Sequence, residues 1–265
     1  PLSVSEREGI AAIADSPDEV RLRVREQLRL GASQIKLMAS GGVSSPPHNP
    51  LQSLQFTDAE LRAAVEAAAD WGTYVTVHAY TPRAIQRAVN AGVQCIDHGQ
   101  LMDEETAKLL ADKGIWLSIQ PLLDEDDIPA LSADSMERAH QVFAGTDNAY
   151  RRARKYGIKT AFGSDALFDA RIASQQGRQL VKLQKWYTPA EALKMATSDN
   201  AELMAMSGFI NPYPGKLGVV EEGALADLLL VEGDPLQNLA LIEDPEANLL
   251  VIMKDGLIYK DTLPQ

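Results

Sequence analysis

The chain has 265 residues, 45% of them hydrophobic and 23% charged, which is enough apolar material for a substantial globular core. Its 37 acidic and 25 basic residues leave a formal net charge of −12, which argues against nucleic acid as a partner, because such binders present a basic face, and lends nothing to an anionic membrane. A lone cysteine, Cys95, excludes an internal disulfide framework and fits a reducing, cytoplasmic setting, while no apolar run reaches the ~18 residues of a spanning helix and no signal-peptide pattern opens the chain.

In chain order, Val20, Val24, Leu28 and Leu30 recur at helical spacing over residues 18–30, and Gly31 punctuates the run. Residues 34–39 read as a strand, followed by Ser40-Gly41-Gly42 and an irregular stretch through Pro46, Pro47 and Pro50. Thr57, with Glu60 three residues on, predicts a capping box and a helix. A strand at 73–78, a helix at 82–91 closed by Gly92, a strand at 93–97, a helix at 103–113 closed by Gly114 and a strand at 115–119 follow. After the acidic loop 124–127 comes one long helix, 134–156, closed by Gly157, then a strand at 158–162 and helical stretches at 170–185 and 189–206.

Apolar strands alternating with amphipathic helices predict a parallel sheet covered on both faces, with five strands in all. From about residue 210 the texture changes to short strands, such as 225–231 and 249–253, separated by glycines and Asp-Pro pairs. Asp255-Gly256 between two apolar runs signals a hairpin. Residues 1–208 are therefore read as an α/β domain and 209–265 as a small β module.

The chemistry-bearing residues gather at strand ends. His78 ends one strand, His98 follows another and Asp165 lies just beyond the last, in Phe162-Gly163-Ser164-Asp165. In parallel α/β folds the C-terminal strand ends form the active face. Lys36 stands within the apolar stretch Ile35-Lys36-Leu37-Met38, where a buried ammonium would need a partner. Taken singly, each has a plain structural reading: a satisfied core histidine, a helix-capping aspartate, a snorkelling lysine. Taken together, four metal-competent groups at the same end of four strands point to a divalent ion, with imidazole and carboxylate donors suiting zinc.

These segments resemble the amidohydrolase superfamily, in its imidazolonepropionase-like and prolidase-like branch. The similarity is carried by Ile35-Lys36-Leu37-Met38-Ala39-Ser40-Gly41-Gly42-Val43, Val77-His78-Ala79-Tyr80, Ile96-Asp97-His98-Gly99, Phe162-Gly163-Ser164-Asp165-Ala166, Gly215-Lys216-Leu217-Gly218, Ala226-Asp227-Leu228-Leu229-Leu230 and Val251-Ile252-Met253-Lys254-Asp255-Gly256. The resemblance implies a (β/α)8 TIM barrel, with only its fourth to eighth strands in this chain, and part of a C-terminal β-sandwich module. It implies one or two divalent metal ions, with Lys36 carboxylated by carbon dioxide as the bridging ligand. His78 and His98 would be the fifth- and sixth-strand ligands, and Asp165 would be both a metal ligand and the general base. The activity implied is hydrolysis of an amide bond in a small molecule such as a dipeptide, an N-acyl amino acid or a cyclic amide, and the resemblance also suggests a homo-oligomer.

The family's first-strand His-x-His pair is missing here, and five strands cannot close an eight-stranded barrel. Together with a first residue that is Pro1 rather than Met, this predicts an N-terminal remainder elsewhere in the same protein. The competing reading is a non-catalytic truncated homologue that acts by assembling with another chain. For substrate contacts, Tyr80 and Arg83 are candidates to hold a carboxylate, with Arg83 equally readable as a solvated first-turn residue. His140 and the loop residue His48 are further candidates. The acidic run Asp124 to Asp127 reads as a solvated loop or an attractor of cationic groups, and Cys95 as core.

Overall fold

The computed structural model describes residues 4–46, 49–166 and 169–263. Five parallel strands, β1 (Ile35–Met38), β2 (Val75–Ala79), β3 (Cys95–His98), β4 (Trp116–Ile119) and β5 (Thr160–Phe162), form one sheet in sequential order. Each crossover carries a helix, as right-handed β-α-β connections between neighbouring strands require. Because all five run the same way, their C-terminal ends open on one edge of the sheet.

The helices are set by local chemistry that the sequence displays. Ser16 caps Pro17–Arg29, whose buried stripe is Val20, Val24 and Leu28. Each such side chain contributes about 1.5–3 kcal/mol on burial. Thr57 and Glu60 close the expected capping box on Asp58–Ala69, and these two helices pack against each other. Gly92 and Gly157 end Pro82–Ala91 and Ala133–Tyr156 in the left-handed conformation, at φ 104° and 63°, a region where a side chain would be strained.

One predicted helix breaks into pieces and another changes its winding part-way. The 170–185 stretch divides into Ala170–Ala173, Gln176–Lys182 and a 3-10 turn at Leu183–Lys185. The 189–206 stretch is helical throughout, but Met195–Asp199 widens into a π segment between Pro189–Lys194 and Asn200–Ala205. That bulge lies where Gly218 packs so closely that a Cβ there would stand 2.5 Å from the Thr197 carbonyl oxygen. Periodicity alone does not register such a local insertion.

A second sheet is antiparallel, with β6 (Leu228–Val231), β7 (Leu249–Lys254) and β8 (Leu257–Asp261) in that order. The Asp255-Gly256 turn is present, both residues having positive φ (50° and 76°), as a two-residue hairpin demands. This sheet leaves Leu229, Leu230, Leu257, Ile258 and Tyr259 exposed, an apolar surface that one face of an isolated three-stranded sheet does not hide. Among the described residues no helix is long and apolar enough to cross a membrane.

Candidate metal and substrate site

The parallel register places the predicted residues side by side. Met38 pairs with His78, His78 with Asp97 and Ala79 with His98, so the two histidines emerge at adjacent strand ends. Their rings meet edge to face with centroids 4.5 Å apart, and the Tyr80 ring lies 4.9 Å from each. All three are buried, His98 at 2% and His78 at 5% exposure. Lys36, His78, His98, Tyr80 and Asp165 line one cleft of about 450 Å³. Cys95 is a buried free thiol.

Backbone carbonyl and amide partners decide which ring nitrogens are free. The Gly41 carbonyl lies 3.1 Å from Nε2 of His78. A carbonyl only accepts, so Nε2 carries the hydrogen and the lone pair is on Nδ1. For His98 the order reverses. Its Nδ1 donates to Oε1 of Gln120 at 2.8 Å, leaving Nε2 as the bare nitrogen. Burial, followed by the His98 ring, lowers the pKa of His78 to about 3. Burial, followed by Lys36, does the same for His98, also to about 3. Both rings are therefore neutral near pH 7 and present lone pairs, the state in which imidazole binds metal.

Asp165 follows β5 by three residues and adopts φ 50°, and His98 adopts φ 80°. Left-handed backbone at residues other than glycine costs on the order of 1–3 kcal/mol and gathers at functional sites. The short strand that aims Asp165 is fixed by Asn200, whose side chain accepts from the Phe162 N–H and donates to the Phe162 carbonyl, both at 2.9 Å. Asp165 is accessible from the cleft, yet the surrounding protein desolvates it enough to raise its pKa against the pull of Lys36 and His78. Burial holds the Tyr80 phenol firmly protonated, a donor facing the cleft.

Lys36 differs from its sequence reading. It is not buried: its side chain retains 44% exposure, and Nζ makes a 3.0 Å ion pair with Oδ2 of Asp97, whose Oδ1 accepts from Thr76 at 3.0 Å. The reason is the alternation along β1. Ile35 is buried, whereas Lys36 and Met38 share the open side. Arg83 and His140 are exposed and lie outside the residues that line the cleft, His140 with its ring 5.9 Å from that of Phe143. His48 falls outside the described residues. The acidic run is not uniformly solvated, because Asp127 is 4% exposed and lines the cleft.

Three contributors escaped the sequence reading. Gln120 directly follows β4, the same strand-end position that marked the histidines, and was legible by that rule. Asn200 sits inside a helical run, and nothing local distinguishes it. Arg138 is a buried guanidinium that binds the Val43 carbonyl at 3.0 and 3.1 Å, the Ser45 carbonyl at 2.6 Å and the Ser135 hydroxyl at 2.9 Å. It thereby staples the loop after β1 to the long helix Ala133–Tyr156.

The donor set suits a divalent ion at the two imidazoles, but it is partial. Among the described residues no three His, Cys, Asp or Glu side chains form a group able to hold a metal. Lysine, unmodified, is no ligand.

The profile of the amidohydrolase family matches residues 3–258. The chain belongs to the amidohydrolase family. Ochratoxinase of Aspergillus niger is 32% identical to it over 256 residues, covering 95% of this chain and 51% of that protein. Among solved amidohydrolases, a prolidase complexed with N-methylphosphonate-L-proline superimposes with a TM-score of 0.86 at 34% identity, covering 96% of this chain and 61% of its own. A Xaa-Pro dipeptidase with methionine bound in its active site gives a TM-score of 0.79 at 31% identity, covering 93% and 59%. The chain thus spans about half the length of this curated relative and about 60% of these structures.

Proposed function

We propose that this chain carries the greater part of the active site of a metal-dependent hydrolase that cleaves an amide bond in a small molecule such as a dipeptide, an N-acyl amino acid or a cyclic amide. The observation that carries the reading is the convergence of Lys36, His78, His98 and Asp165 on one cleft at the C-terminal strand ends, with both imidazoles neutral. The names of the matched ochratoxinase, prolidase and dipeptidase support amide chemistry.

In this reading Nδ1 of His78 and Nε2 of His98 would hold a divalent ion, zinc being the ion such donors suit. When bound, the ion supplies Lewis acidity and lowers the pKa of water. Asp165, which among the described residues does not cluster with the two imidazoles into a metal-holding group, would add a ligand oxygen when the ion binds, and would take the proton of the attacking water and deliver it to the leaving nitrogen. Tyr80 donates its phenolic hydrogen to the substrate. Lys36 would serve as a carboxylated ligand formed with carbon dioxide. That modification would replace the cation now paired with Asp97 by an anion, so bound metal charge would have to offset both.

Residues 1–208 are then the fourth to eighth strands of a (β/α)8 barrel and 209–265 part of a β-sandwich module, with the first strands and their ligands upstream in the same protein. The open β1 edge, the exposed face of the second sheet and the partial coverage of the relatives all support this.

The test is metal content of the complete gene product, purified without chelators, together with turnover of a dipeptide, N-acyl amino acid and lactam panel. Bound divalent metal and hydrolysis abolished by Asp165→Asn are expected. Absence of both metal and turnover would sink the proposal and favour the competing role, assembly without catalysis.

A further inference from the structure

Beyond the catalytic groups the cleft is mostly apolar, with Ser44, Ser45 and Asp127 as its polar exceptions. Val43, Leu122, Ile128, Val142 and Phe143 line it, and they pack together with Leu51 and Tyr80 in a small cluster separate from the main core. Arg138 ties both sides of this wall, the loop at Val43 and the long helix that bears Val142 and Phe143.

The charges along the cleft are already committed. Among the described lining residues the charged ones outside the imidazoles are Lys36, Asp127 and Asp165. Lys36, paired with Asp97 in its unmodified form, and Asp165 both belong to the catalytic end. Asp127 has both oxygens in use. Oδ1 accepts from Gln179 at 2.9 Å and from Lys182, and Oδ2 accepts from the backbone N–H groups of Leu123 at 2.7 Å and Asp124 at 3.3 Å. An ionic substrate group entering this wall would lose its water without gaining an oppositely charged partner that is free to pair, which disfavours it. An apolar one gains with every methylene it buries.

We infer that the wall formed by Val43, Leu122, Ile128, Val142 and Phe143 is a specificity compartment for a neutral, bulky apolar group of the substrate, a branched aliphatic or phenyl side chain next to the scissile amide. The inference rests on the hydrolase reading for the chemistry but not for the binding preference. Phe143 and Ile128 are its determinants of size and polarity, since both are only half-buried and border the open space.

The experiment uses the complete, metal-loaded protein in its Asp165→Asn form, with two dipeptide series, Xaa-Gly and Gly-Xaa, where Xaa is Ala, Leu, Phe, Asp or Lys, titrated by calorimetry. In one series Leu and Phe should bind about tenfold or more tightly than Ala, Asp and Lys, the range a hydrophobic pocket yields. Phe143→Ala should erase most of that preference, Phe143→Leu should keep it, and Ile128→Lys should shift it toward Asp. Equal binding across both series, or no binding by any member, overturns the compartment. Turnover by the parent enzyme is scored separately. Preference without turnover overturns the hydrolase reading alone, and turnover without preference overturns the compartment alone.

Discussion

Gly42 lies against the imidazole of His78 so closely that a Cβ at this position would stand 3.2 Å from Cε1 and 3.3 Å from Nε2. The close approach is what lets the neighbouring Gly41 carbonyl bond Nε2 of His78. Gly42→Ala should push the ring by a few tenths of an ångström and loosen that bond. Because second-layer hydrogen bonds orient ligating histidines, we expect divalent-metal affinity to fall about tenfold or more, with only a small change in unfolding free energy. Metal titration beside a chemical denaturation curve checks both. Gly41→Ala is the contrast, since its Cβ would meet the Pro50 carbonyl oxygen at 2.2 Å. Backbone cannot yield cheaply there, so overpacking should cost about 1–3 kcal/mol.

Gln120 does for His98 what the Gly41 carbonyl does for His78. Removing it in Gln120→Ala frees Nδ1 and lets the ring take either tautomer. Metal affinity should drop about 10–100-fold, and nitrogen chemical shifts of His98 should change from a single Nδ1–H form to a mixture. Unaltered shifts and affinity would show that His98 is oriented by packing alone.

How far the sequence revealed this arrangement depended on how local each cause was. The capping box at Thr57, the αL glycines and the Asp255-Gly256 hairpin were legible because neighbouring residues suffice to produce them. His78, His98 and Asp165 were legible because strand ends in a parallel sheet share one edge. The exposure of Lys36 was not, since Ile35-Lys36-Leu37-Met38 reads as one apolar run and does not reveal which of its alternating positions faces the open side. Arg138 was invisible for another reason. Its carbonyl partners lie more than ninety positions away in the chain, and no local pattern encodes them. Asp127, read within a solvated acidic run, is buried because Lys182 and Gln179 reach it from a helix about fifty residues on.

Acid should destabilise the metal-free chain well before its carboxylates titrate. His78 and His98 have folded-state pKa values lowered to about 3 by burial, whereas an unfolded histidine titrates near 6.5. The unfolded state therefore binds more protons below pH 6.5, and stability present above that value is lost as pH falls toward 3, by about 1.4 kcal/mol per pH unit for each proton taken up. Urea midpoints measured between pH 7 and 4 should decline throughout that window. A flat profile down to pH 4 would contradict the neutral buried pair.

Gln179 and Lys182 clamp the cleft's acidic loop through Asp127. Against the upward push of burial, the Leu123 N–H, Lys182 and Gln179 hold the Asp127 carboxyl below its usual pKa, so Asp127 is a buried carboxylate with a cation beside it. Its side chain is 1% exposed and that of Lys182 14%, so water cannot replace either partner. Lys182→Met should leave the charge uncompensated and cost about 3–5 kcal/mol, as breaking one side of a buried pair does. Asp127→Asn removes the charge yet keeps an oxygen for the donors of Leu123 and Asp124. Combining it with Lys182→Met should therefore restore part of the loss, giving a coupling of at least about 1 kcal/mol in a double-mutant cycle. Additive costs would mean that the ion pair, despite its burial, does not hold the loop, and that the backbone hydrogen bonds alone do.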